Sequence, residues 1–387
     1  MHHYYNLKEE ELMIKEVARK FAEEKIKPLR AEMDEKEECP VELLKEAASL
    51  DLLRVFIPEA YEGLGLGIMG MVLATEEISR IDGGFATSYS ANGLGSTPII
   101  LFGNEEQKKK YLPKIASGEF FAAFALTEPE AGSDAGNVKT KAIKDGNDYV
   151  LNGNKIFITN GGIADVYVVI ASTDPERGER GLSAFIVEKG TKGFSFGKKE
   201  HKMGIRSSAT RELVFEDCRI PKENLLAKEG YGFIITMKTF DKTRVGVAAQ
   251  AVCIAQGALE EALFYSNTRV QFNKKINEFQ GIQFMLADMA TQIEAARALT
   301  YTAARYVDSD KKDAGKISAM AKMFASDVAM KVTTDAVQIF GGYGYIREYP
   351  VEKMMRDAKI TQIYEGTNQI QRLVIANYLL KEIVKKD

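Results

Sequence analysis

Apolar residues recur at helical spacing among Glu and Lys at the start of the chain. The residues that form this pattern are Leu12, Ile14, Val17, Phe21 and Ile26. The pattern predicts a helix, and Pro28 is expected to end it. Further helices are predicted over residues 41–52, 69–81 and 105–115, and glycine-rich connectors such as residues 62–67 separate them. Residues 1–118 therefore form a predicted all-α domain.

The pattern changes to short runs rich in Val, Ile, Thr and aromatic residues over 119–228. Strands are predicted over 149–151, 155–159, 166–171, 182–187 and 213–215. Asn-Gly and Asp-Gly steps predict hairpins at Asp145-Gly146-Asn147, Asn152-Gly153-Asn154 and Asn160-Gly161-Gly162. We expect a small antiparallel β-domain here, either a barrel or a sandwich.

Helical periodicity returns in residues 229–387. Ile282, Met285, Met289 and Ile293 follow steps of three and four residues, and Pro350 is the only proline of this stretch. Long helices with an apolar stripe predict an antiparallel bundle. The predicted fold class is thus α+β and multidomain, in the order helical, β, helical.

Composition excludes several classes of chemistry. The chain has 387 residues with a net charge of −3, so no basic excess favours nucleic acid. His2, His3 and His201 are the three histidines, and Cys39, Cys218 and Cys253 never form a CxxC pair. This argues against a zinc site and a disulfide framework, and it fits a reducing compartment.

Membrane and secretory signals are also missing from the sequence pattern. No run reaches the roughly 18 consecutive apolar residues of a membrane helix, and the N-terminus has no apolar signal core. The chain is expected to be a cytoplasmic protein without a membrane span.

One nucleotide-binding string occurs, but its context is wrong. Gly65-Leu-Gly-Ile-Met-Gly70 lies in a helical region without βαβ alternation, and no acidic residue follows about 20 positions later. We expect a glycine-rich connector rather than a Rossmann site.

Three other motifs could carry chemistry, although each has an ordinary structural reading. Residues 124–134 form a Thr/Ser/Gly-rich turn that could cradle an anion or a ring edge, or could be a plain β-turn. Residues 338–345 place three glycines after a helix, which could admit a ligand or simply cap the helix. In residues 363–372, Glu365 could be a desolvated general base or a carboxylate at a helix N-terminus.

Taken together, the motifs resemble the acyl-CoA dehydrogenase family over nearly the whole chain. The matching stretches are residues 126–134, 152–160, 268–272, 338–342, 356–358 and 363–372. The resemblance implies an N-terminal helical domain, a middle β-domain and a C-terminal four-helix bundle. It also implies non-covalent FAD, which would take the β-hydrogen of an acyl-CoA thioester as hydride on N5 and leave a trans-2-enoyl-CoA.

The family resemblance assigns the base role to Glu365 in Tyr-Glu-Gly-Thr, abstracting the α-proton. Some relatives carry the base at the position of Thr243, which cannot serve as a carboxylate. The thioester oxygen would be held by a flavin ribityl hydroxyl and the backbone N–H of Glu365. Substrate contacts would come from Ser133, Asp241, Arg244, Tyr364 and Gly366, and Arg244 could instead be a buried charge partner.

FAD would contact residues from three parts of the chain. The residues implied to face the flavin ring are Phe124, Leu126, Thr127, Ser133, Phe157 and Thr159, with Phe157 where many relatives have Trp. Those implied to hold the pyrophosphate and adenosine from a neighbouring subunit are Arg269, Phe272, Gln280, Gln338, Gly341 and Gly342, with Thr367 and Gln369 completing the site. A homotetramer, a dimer of dimers, follows from this sharing.

Electrons would pass to an electron-transfer flavoprotein. The alternatives are an acyl-CoA oxidase using oxygen, reduction of an enoyl-CoA in the reverse direction, and a non-catalytic flavin-binding or assembly homologue. The substrate is expected to be short- or medium-chain, and branched or alicyclic chains stay open. Ala86 falls where glutaryl-CoA-specific relatives carry arginine, which argues against a terminal carboxylate. The small residues of 83–93 could make room for a wide acyl group or could serve helix packing.

Overall fold

The structure is a computed structural model that describes residues 5–311 and 313–384. Its N-terminal helices are α1 (Glu9–Phe21), α2 (Arg30–Lys36), α3 (Val41–Ser49), α4 (Gly67–Ile81), α5 (Gly83–Phe102) and α6 (Glu105–Ser117). The strands that follow are β1 (Ala122–Ala125), β2 (Lys141–Asp145), β3 (Asp148–Thr159), β4 (Val166–Ser172), β5 (Leu182–Glu188), β6 (Phe194–Lys199) and β7 (Thr210–Pro221). The C-terminal part contains α7 (Gly232–Thr268), a ribbon of β8 (Val270–Gln271) and β9 (Lys274–Lys275), then α8 (Gln280–Asp308), α9 (Ala314–Phe340), α10 (Val351–Thr361) and α11 (Asn368–Val384). The predicted order of helical, β and helical regions is confirmed.

The first helix does not end at Pro28, so that prediction was wrong. The helical path continues from α1 through a π-helical turn, Ala22–Ile26, and a 3₁₀ turn, Lys27–Leu29, into α2. Pro28 lies in the 3₁₀ segment, where the helical path changes from π to 3₁₀ geometry. The proline therefore lies within the helical path instead of terminating it.

The small residues of α5 allow helices and strands to approach closely. A Cβ on Gly95 would lie 2.6 Å from the backbone nitrogen of Ala123 in β1. A Cβ on Gly84 would lie 2.1 Å from the Ser207 hydroxyl. Asp82 caps the helix, since its Oδ1 accepts the Phe85 N–H at 2.7 Å. Packing thus explains these two glycines, while other small residues of α5 line a cavity described below.

The middle region is a mixed sheet rather than a purely antiparallel one. Its described strands follow the order β1-β4-β2-β3-β7-β6, with β5 paired to β4, and β1 runs parallel to β4. The hairpin predicted at residues 145–147 joins β2 to β3. β2 and β6 were not predicted, because β2 is mostly exposed and polar and β6 contains a glycine and two lysines.

The hairpin predicted at Asn152-Gly153-Asn154 was wrong, because β3 runs straight through these residues. The pairing of β3 with β7 shifts register between Leu151 and Gly153, which marks a β-bulge. Gly153 has φ +143°, and a Cβ there would lie 2.7 Å from Thr140 Cα. The Asn-Gly step therefore serves a bulge instead of a turn.

The C-terminal helices form a bundle in which α9 packs against α7, α8, α10 and α11. The α7 helix is long and apolar enough to cross a membrane by length and composition, yet 72% of its apolar window is buried within the protein. Such burial is typical of a core helix. Its other contacts include α4, α5 and β5, so α7 connects the three regions.

Buried charges also join the three regions. Lys353 of α10 lies 2.9 Å from Asp82 and bonds Asp357, both of which are buried. Asp82 accepts the Ser207 hydroxyl at 2.6 Å, and Asp357 accepts the Ile205 N–H from the segment before β7. This cluster, the Asp82–Lys353–Asp357 triad, holds α10 and so fixes the start of the turn that follows it.

Candidate active site

A cavity of about 140 Å³ lies between α5, α7, the exit of β1 and the turn joining α10 to α11. Its lining includes many of the predicted site residues, namely Phe124, Leu126, Thr127, Phe157, Thr159, Tyr364 and Glu365. The remaining lining residues include Met71, Thr87, Ser90, Ala91, Leu94, Thr243, Gly246 and Gln250. The first and third sequence motifs, which are more than 200 residues apart, therefore meet at one cavity.

Glu365 lies in the turn after α10 with a left-handed backbone, at φ +50°, followed by Gly366 at φ +89°. A non-glycine residue pays about 1–3 kcal/mol for a strained conformation of this kind, so surrounding contacts must hold it. The Glu365 carbonyl accepts hydrogen bonds from Arg244 Nε and Gln371 Nε2, both at 3.1 Å. These bonds fix the turn from two helices, α7 and α11.

The carboxylate of Glu365 has a defined partner. The Thr243 hydroxyl donates to Glu365 Oε2 at 2.7 Å. Burial raises the pKa of Glu365 above its usual value, and the Thr243 bond and the charges of Arg244 and Lys322 offset only part of that effect. A carboxyl group with a raised pKa beside an apolar cavity is suited to general acid–base chemistry.

Arg244 is a buried charge partner of the turn. It is 4% exposed, its guanidinium lies 3.8 Å from Asp241, and it stacks over the Phe240 ring. Burial lowers the pKa of Arg244 and raises that of Asp241. Neither residue lines the 140 Å³ cavity. A direct contact of Arg244 or Asp241 with substrate therefore stays a prediction.

Tyr364 belongs to a hydrogen-bonded wall across the cavity. Its hydroxyl donates to Gln250 Oε1. Gln250 in turn donates to the Thr87 hydroxyl and to the Gly83 carbonyl, both at 2.8 Å. Because every bond of this wall lies between α5, α7 and the turn, the wall closes the cavity at a fixed place.

A β-bulge turns Phe157 outward beside the cavity. The β3–β7 register shifts between Lys155 and Ile158, and Phe157 has φ +58° and a side chain that is 58% exposed. Phe124 and Leu126 are buried and line the cavity, and Thr127 contributes a hydroxyl to the same lining. An exposed aromatic ring facing a hydroxyl-bearing strand end fits a flat heteroaromatic ligand such as a flavin.

A buried ion pair holds the strand end that carries Thr127. Lys155 is fully buried, and its Nζ donates to the Leu126 carbonyl at 2.9 Å and to Glu128 at 2.6 Å. Burial lowers the pKa of Lys155 to about 8, although the Glu128 charge acts in the opposite direction. Ser133 lies farther along this turn, is exposed and does not line the cavity.

The second motif lines a separate groove of about 500 Å³. Arg269, Gly341 and Gly342 contribute to it, together with Tyr265 and Phe340. Gly341, at φ +61°, follows the last residue of α9, so the motif does cap the helix, yet a Cβ on either glycine would meet nothing within 4 Å. Phe272 is 88% exposed, and Gln280 and Gln338 are also exposed, outside the groove lining. The groove and the 140 Å³ cavity share no lining residue.

Thr367 and Gln369 lie at the start of α11. The Thr367 hydroxyl accepts the Ile370 N–H at 3.3 Å, while Gln369 is exposed. Gly366 directly precedes Thr367, and its carbonyl accepts hydrogen bonds from Lys322 and Gln371 at 2.8 Å each.

The remaining sequence expectations concern scarce residues. His2 and His3 lie outside the described residues, and His201 is exposed beside Glu37. Cys39, Cys218 and Cys253 are free, and no cluster of metal-binding side chains occurs in residues 5–311 and 313–384. Only Gly65 and Leu66 of the Gly65–Gly70 string lie in the connector, because α4 begins at Gly67, and the Asp308 carboxylate accepts the Ile68 and Met69 N–H groups of its first turn.

Sequence reasoning missed Thr87, Gln250 and Lys322. Gln250 interrupts an otherwise apolar run on α7, and Lys322 does the same on α9. A polar residue inside a buried helical stripe must find a partner, and that signal could have singled out both residues.

Comparisons with known proteins agree with this geometry. The acyl-CoA dehydrogenase N-terminal, middle and C-terminal domain models match residues 8–119, 123–218 and 230–380. Butyryl-CoA dehydrogenase from Megasphaera elsdenii superposes with a TM-score of 0.95 at 50% identity, covering 97% of this chain and 99% of that one. A chain of the structure described as the electron transferring flavoprotein of Acidaminococcus fermentans has a TM-score of 0.96 at 54% identity, with 97% and 99% coverage. The acryloyl-CoA reductase (NADH) of Anaerotignum propionicum is 49% identical over 379 residues, covering 97% of this chain and 96% of its own length.

Together, these matches, the helices around a β-domain and the carboxylate at the cavity indicate an oxidoreductase of the flavin-dependent type. The chain belongs to the acyl-CoA dehydrogenase family.

Proposed function

We propose that the protein oxidises a short-chain acyl-CoA thioester to the trans-2-enoyl-CoA, with Glu365 as the base that removes the α-proton. The observation that carries this proposal is the Glu365 carboxyl group, which lines the 140 Å³ cavity and has a raised pKa. Its Oε2 is engaged by Thr243, whereas Oε1 accepts no hydrogen bond from the described residues. Oε1 is therefore the atom that takes the proton.

FAD, when bound, supplies the acceptor for the hydrogen that leaves the β-carbon. Phe157, Thr127 and Thr159 would hold the flavin ring beside the cavity. Arg269, Gly341 and Gly342 would receive the phosphate and adenosine part. The family resemblance implies that these three serve the FAD of a neighbouring subunit, in the proposed homotetramer, and the separate linings of the groove and the cavity agree with this.

The turn that carries Glu365 also orients the thioester. The backbone N–H of Glu365 donates to no group among the described residues, which leaves it available to the thioester oxygen. A donor held on a fixed turn stabilises the negative charge that develops on that oxygen as the α-proton leaves. Leu94 and Phe124 add apolar surface to the cavity that the carboxylate lines.

The cavity supports a short acyl chain. Its volume is about 140 Å³, and the wall of Thr87, Gln250 and Tyr364 closes it. The similarity to butyryl-CoA dehydrogenase supports the same substrate class. Ser90 and Ala91 on α5 leave width for a branched chain.

We place the protein in the cytoplasm and propose an electron-transfer flavoprotein as its partner, which the similarity to the Acidaminococcus structure supports. The reverse reaction, reduction of an enoyl-CoA, is the second candidate, and the similarity to an acryloyl-CoA reductase supports it.

Turnover of butyryl-CoA by the purified holoenzyme tests the proposal. Enoyl-CoA should form with a ferrocenium or dye acceptor and not with oxygen alone. Glu365→Gln should keep bound FAD and lose at least about 10³-fold in kcat. Full activity in that variant, or turnover with oxygen alone, would contradict the proposed base or the proposed acceptor, respectively. Crotonyl-CoA reduction with a reduced dye measures the reverse direction.

A further inference from the structure

Lys322 lies fully buried on α9, directly behind the turn that carries Glu365. Its ammonium donates to the Gly366 carbonyl at 2.8 Å and to Asn368 Oδ1 at 3.1 Å. These two acceptors are the residues that follow Glu365 and begin α11. The side chain therefore ties the middle of one bundle helix to the strained turn.

Lys322 differs from the other buried lysines in its counter-charge. Lys155 has Glu128 at 2.6 Å, and Lys353 bonds both Asp82 and Asp357. Within the described residues, no carboxylate lies within 4 Å of Lys322 Nζ. A buried ammonium without an adjacent carboxylate is costly, and burial lowers the pKa of Lys322 to about 7.

The charged groups around Lys322 leave Glu365 as its counter-charge. Asp327, on the same helix, is engaged by Gln362, Asn368 and Arg372. Arg244 on α7 repels Lys322, and Tyr378 on α11 and Asp241 face Arg244 rather than the lysine. Of the charges near Lys322, Glu365 favours the ammonium form most, ahead of Asp327.

We propose that Lys322 is a positioning residue for α-proton removal, holding the Glu365–Gly366 turn through the Gly366 carbonyl and stabilising the carboxylate form of Glu365. This inference rests on the proposed base role of Glu365. The hydrogen bond fixes where the carboxyl group and the Glu365 N–H point. Below about pH 7, where Lys322 is charged, the ammonium favours the carboxylate form of Glu365 against the opposing effect of burial.

The test compares Lys322→Met, Lys322→Gln and Lys322→Arg with a matched control, Ser326→Ala. Ser326 lies one turn along α9, is buried, and hydrogen-bonds the same Asn368 without carrying charge. The measurement is the exchange of the α-protons of butyryl-CoA with deuterated water by the holoenzyme, followed by mass spectrometry across pH.

Lys322→Met and Lys322→Gln should raise the pH midpoint of exchange by about half a unit or more, because a cation near the carboxylate is lost. Exchange at saturating substrate should fall more than the apparent substrate affinity. Lys322→Arg should bring the midpoint back toward the wild-type value, whereas Ser326→Ala should leave it unmoved even if it lowers thermal stability.

A second readout needs neither substrate nor bound FAD. The folded pKa of about 7 lies below the ordinary value for lysine, so the unfolded chain binds more protons above pH 7. The free energy of unfolding should therefore rise between about pH 7 and 10, and Lys322→Met should lose this rise. Urea unfolding at several pH values measures it.

An unmoved midpoint in Lys322→Met and Lys322→Gln, with a stability loss like that of Ser326→Ala, would overturn the inference. Such a result is separable from failure of the proposed function. If the wild-type protein exchanges no α-proton, or Glu365→Gln exchanges as fast as wild type, then the base assignment fails instead.

Discussion

Glu365 combines a strained backbone with a desolvated carboxyl group, and both features cost stability. The residue has φ +50°, and burial raises its pKa. Sites of this kind persist only when their neighbours hold them, here Arg244 and Gln371 at its carbonyl and Thr243 at its carboxylate. This loss of stability fits the proposed role of Glu365, because a desolvated carboxylate removes a weakly acidic proton more readily than one in water.

The pH dependence of stability should show this cost. The folded pKa of Glu365 lies above the unfolded value of about 4.5, so the folded state binds more protons between the two. Stability of the wild type relative to Glu365→Gln should thus fall as pH rises through that window. Urea unfolding should find the two proteins equal near pH 4 and the Gln variant more stable at pH 8. A Gln variant that is less stable at pH 8 would contradict a raised pKa.

Gln250 should set the length of acyl chain that the cavity accepts. Gln250→Ala removes the centre of the wall between Thr87 and Tyr364, which opens space beyond it. Longer chains should gain up to about 0.8 kcal/mol, or about fourfold in kcat/KM, for each added methylene relative to butyryl-CoA. A steady-state series from butyryl- to octanoyl-CoA measures the effect.

The control for this series is Thr97→Ala, because Thr97 lies on α5 and bonds its own helix at Gly93 instead of the wall. An unchanged ranking of chain lengths in Gln250→Ala would show that the wall does not limit the substrate.

Residues of the site could be predicted from the sequence only where they belong to a recognisable motif. Glu365 and Phe157 were singled out from the sequence, and the structure brings both to the cavity. Thr87, Gln250 and Lys322 were not, because their partners are more than 40 residues away and a lone polar residue in a helix does not name its partner. Ser133 is exposed on its turn and outside the cavity lining, so its contact with the flavin stays a prediction.

At the scale of elements, the sequence pattern predicted both the amphipathic α6 and the buried α4, but it did not predict α5. α4 and α6 follow the predicted ranges within a few residues. α5 has no polar face, since it is surrounded by α4, α7 and β1, so its periodicity carries little information. Similarly, Asn-Gly steps mark both hairpins and bulges, and pairing with β7 decided in favour of the bulge at Gly153. The domain boundaries at residues 118 and 228 stay predictions.

Gly95 should tolerate no side chain, although alanine favours helices. Gly95→Ala gains about 1 kcal/mol of helix propensity but places a Cβ 2.6 Å from the Ala123 nitrogen. Because the nearest atom belongs to the backbone of β1, the clash can be relieved only if α5 moves away from β1. The free energy of unfolding should therefore fall by about 1–3 kcal/mol. Chemical denaturation measures the change.

Gly281→Ala is the matched control for the packing of Gly95. Gly281 lies in the first turn of α8, and a Cβ there would meet nothing within 4 Å. This variant should be neutral or more stable by up to about 1 kcal/mol. Equal effects of the two substitutions would contradict the close approach of α5 to β1.

At the scale of the whole molecule, the cavity is assembled from all three regions, so its geometry depends on how they are joined. α5 supplies one side of the cavity and β1 and β3 another, while the turn after α10 contributes Glu365. The motif at residues 356–358 contains Asp357 but does not indicate its partners, because Asp82 lies far along the chain from Lys353 and Asp357. The triad joins the start of α5 to α10, and so it holds the α5 side of the cavity against the turn that follows α10.

Lys353→Met should therefore weaken the molecule as a whole. It leaves Asp82 and Asp357 buried without their cation, a change that costs about 3–5 kcal/mol. Without the lysine, both carboxylates can be relieved only by protonation, so their folded pKa values would lie above the unfolded ones. The deficit against the wild type should then shrink as pH falls toward 4. Lys45→Met, which removes an exposed lysine paired with Glu42, should change stability by no more than about 0.5 kcal/mol.

Calorimetry of Lys353→Met distinguishes a local from a global role for the triad. Because Lys353 and Asp357 lie on α10, Asp82 precedes α5 and Ser207 precedes β7, loss of the lysine loosens contacts among all three regions at once. In Lys353→Met the helical bundle and the β-region should then unfold in separate thermal transitions, and the wild-type protein should show fewer transitions. A single transition with a loss no larger than that of Lys45→Met would mean that the triad does not couple the regions, and that apolar packing by α7 holds the cavity walls together.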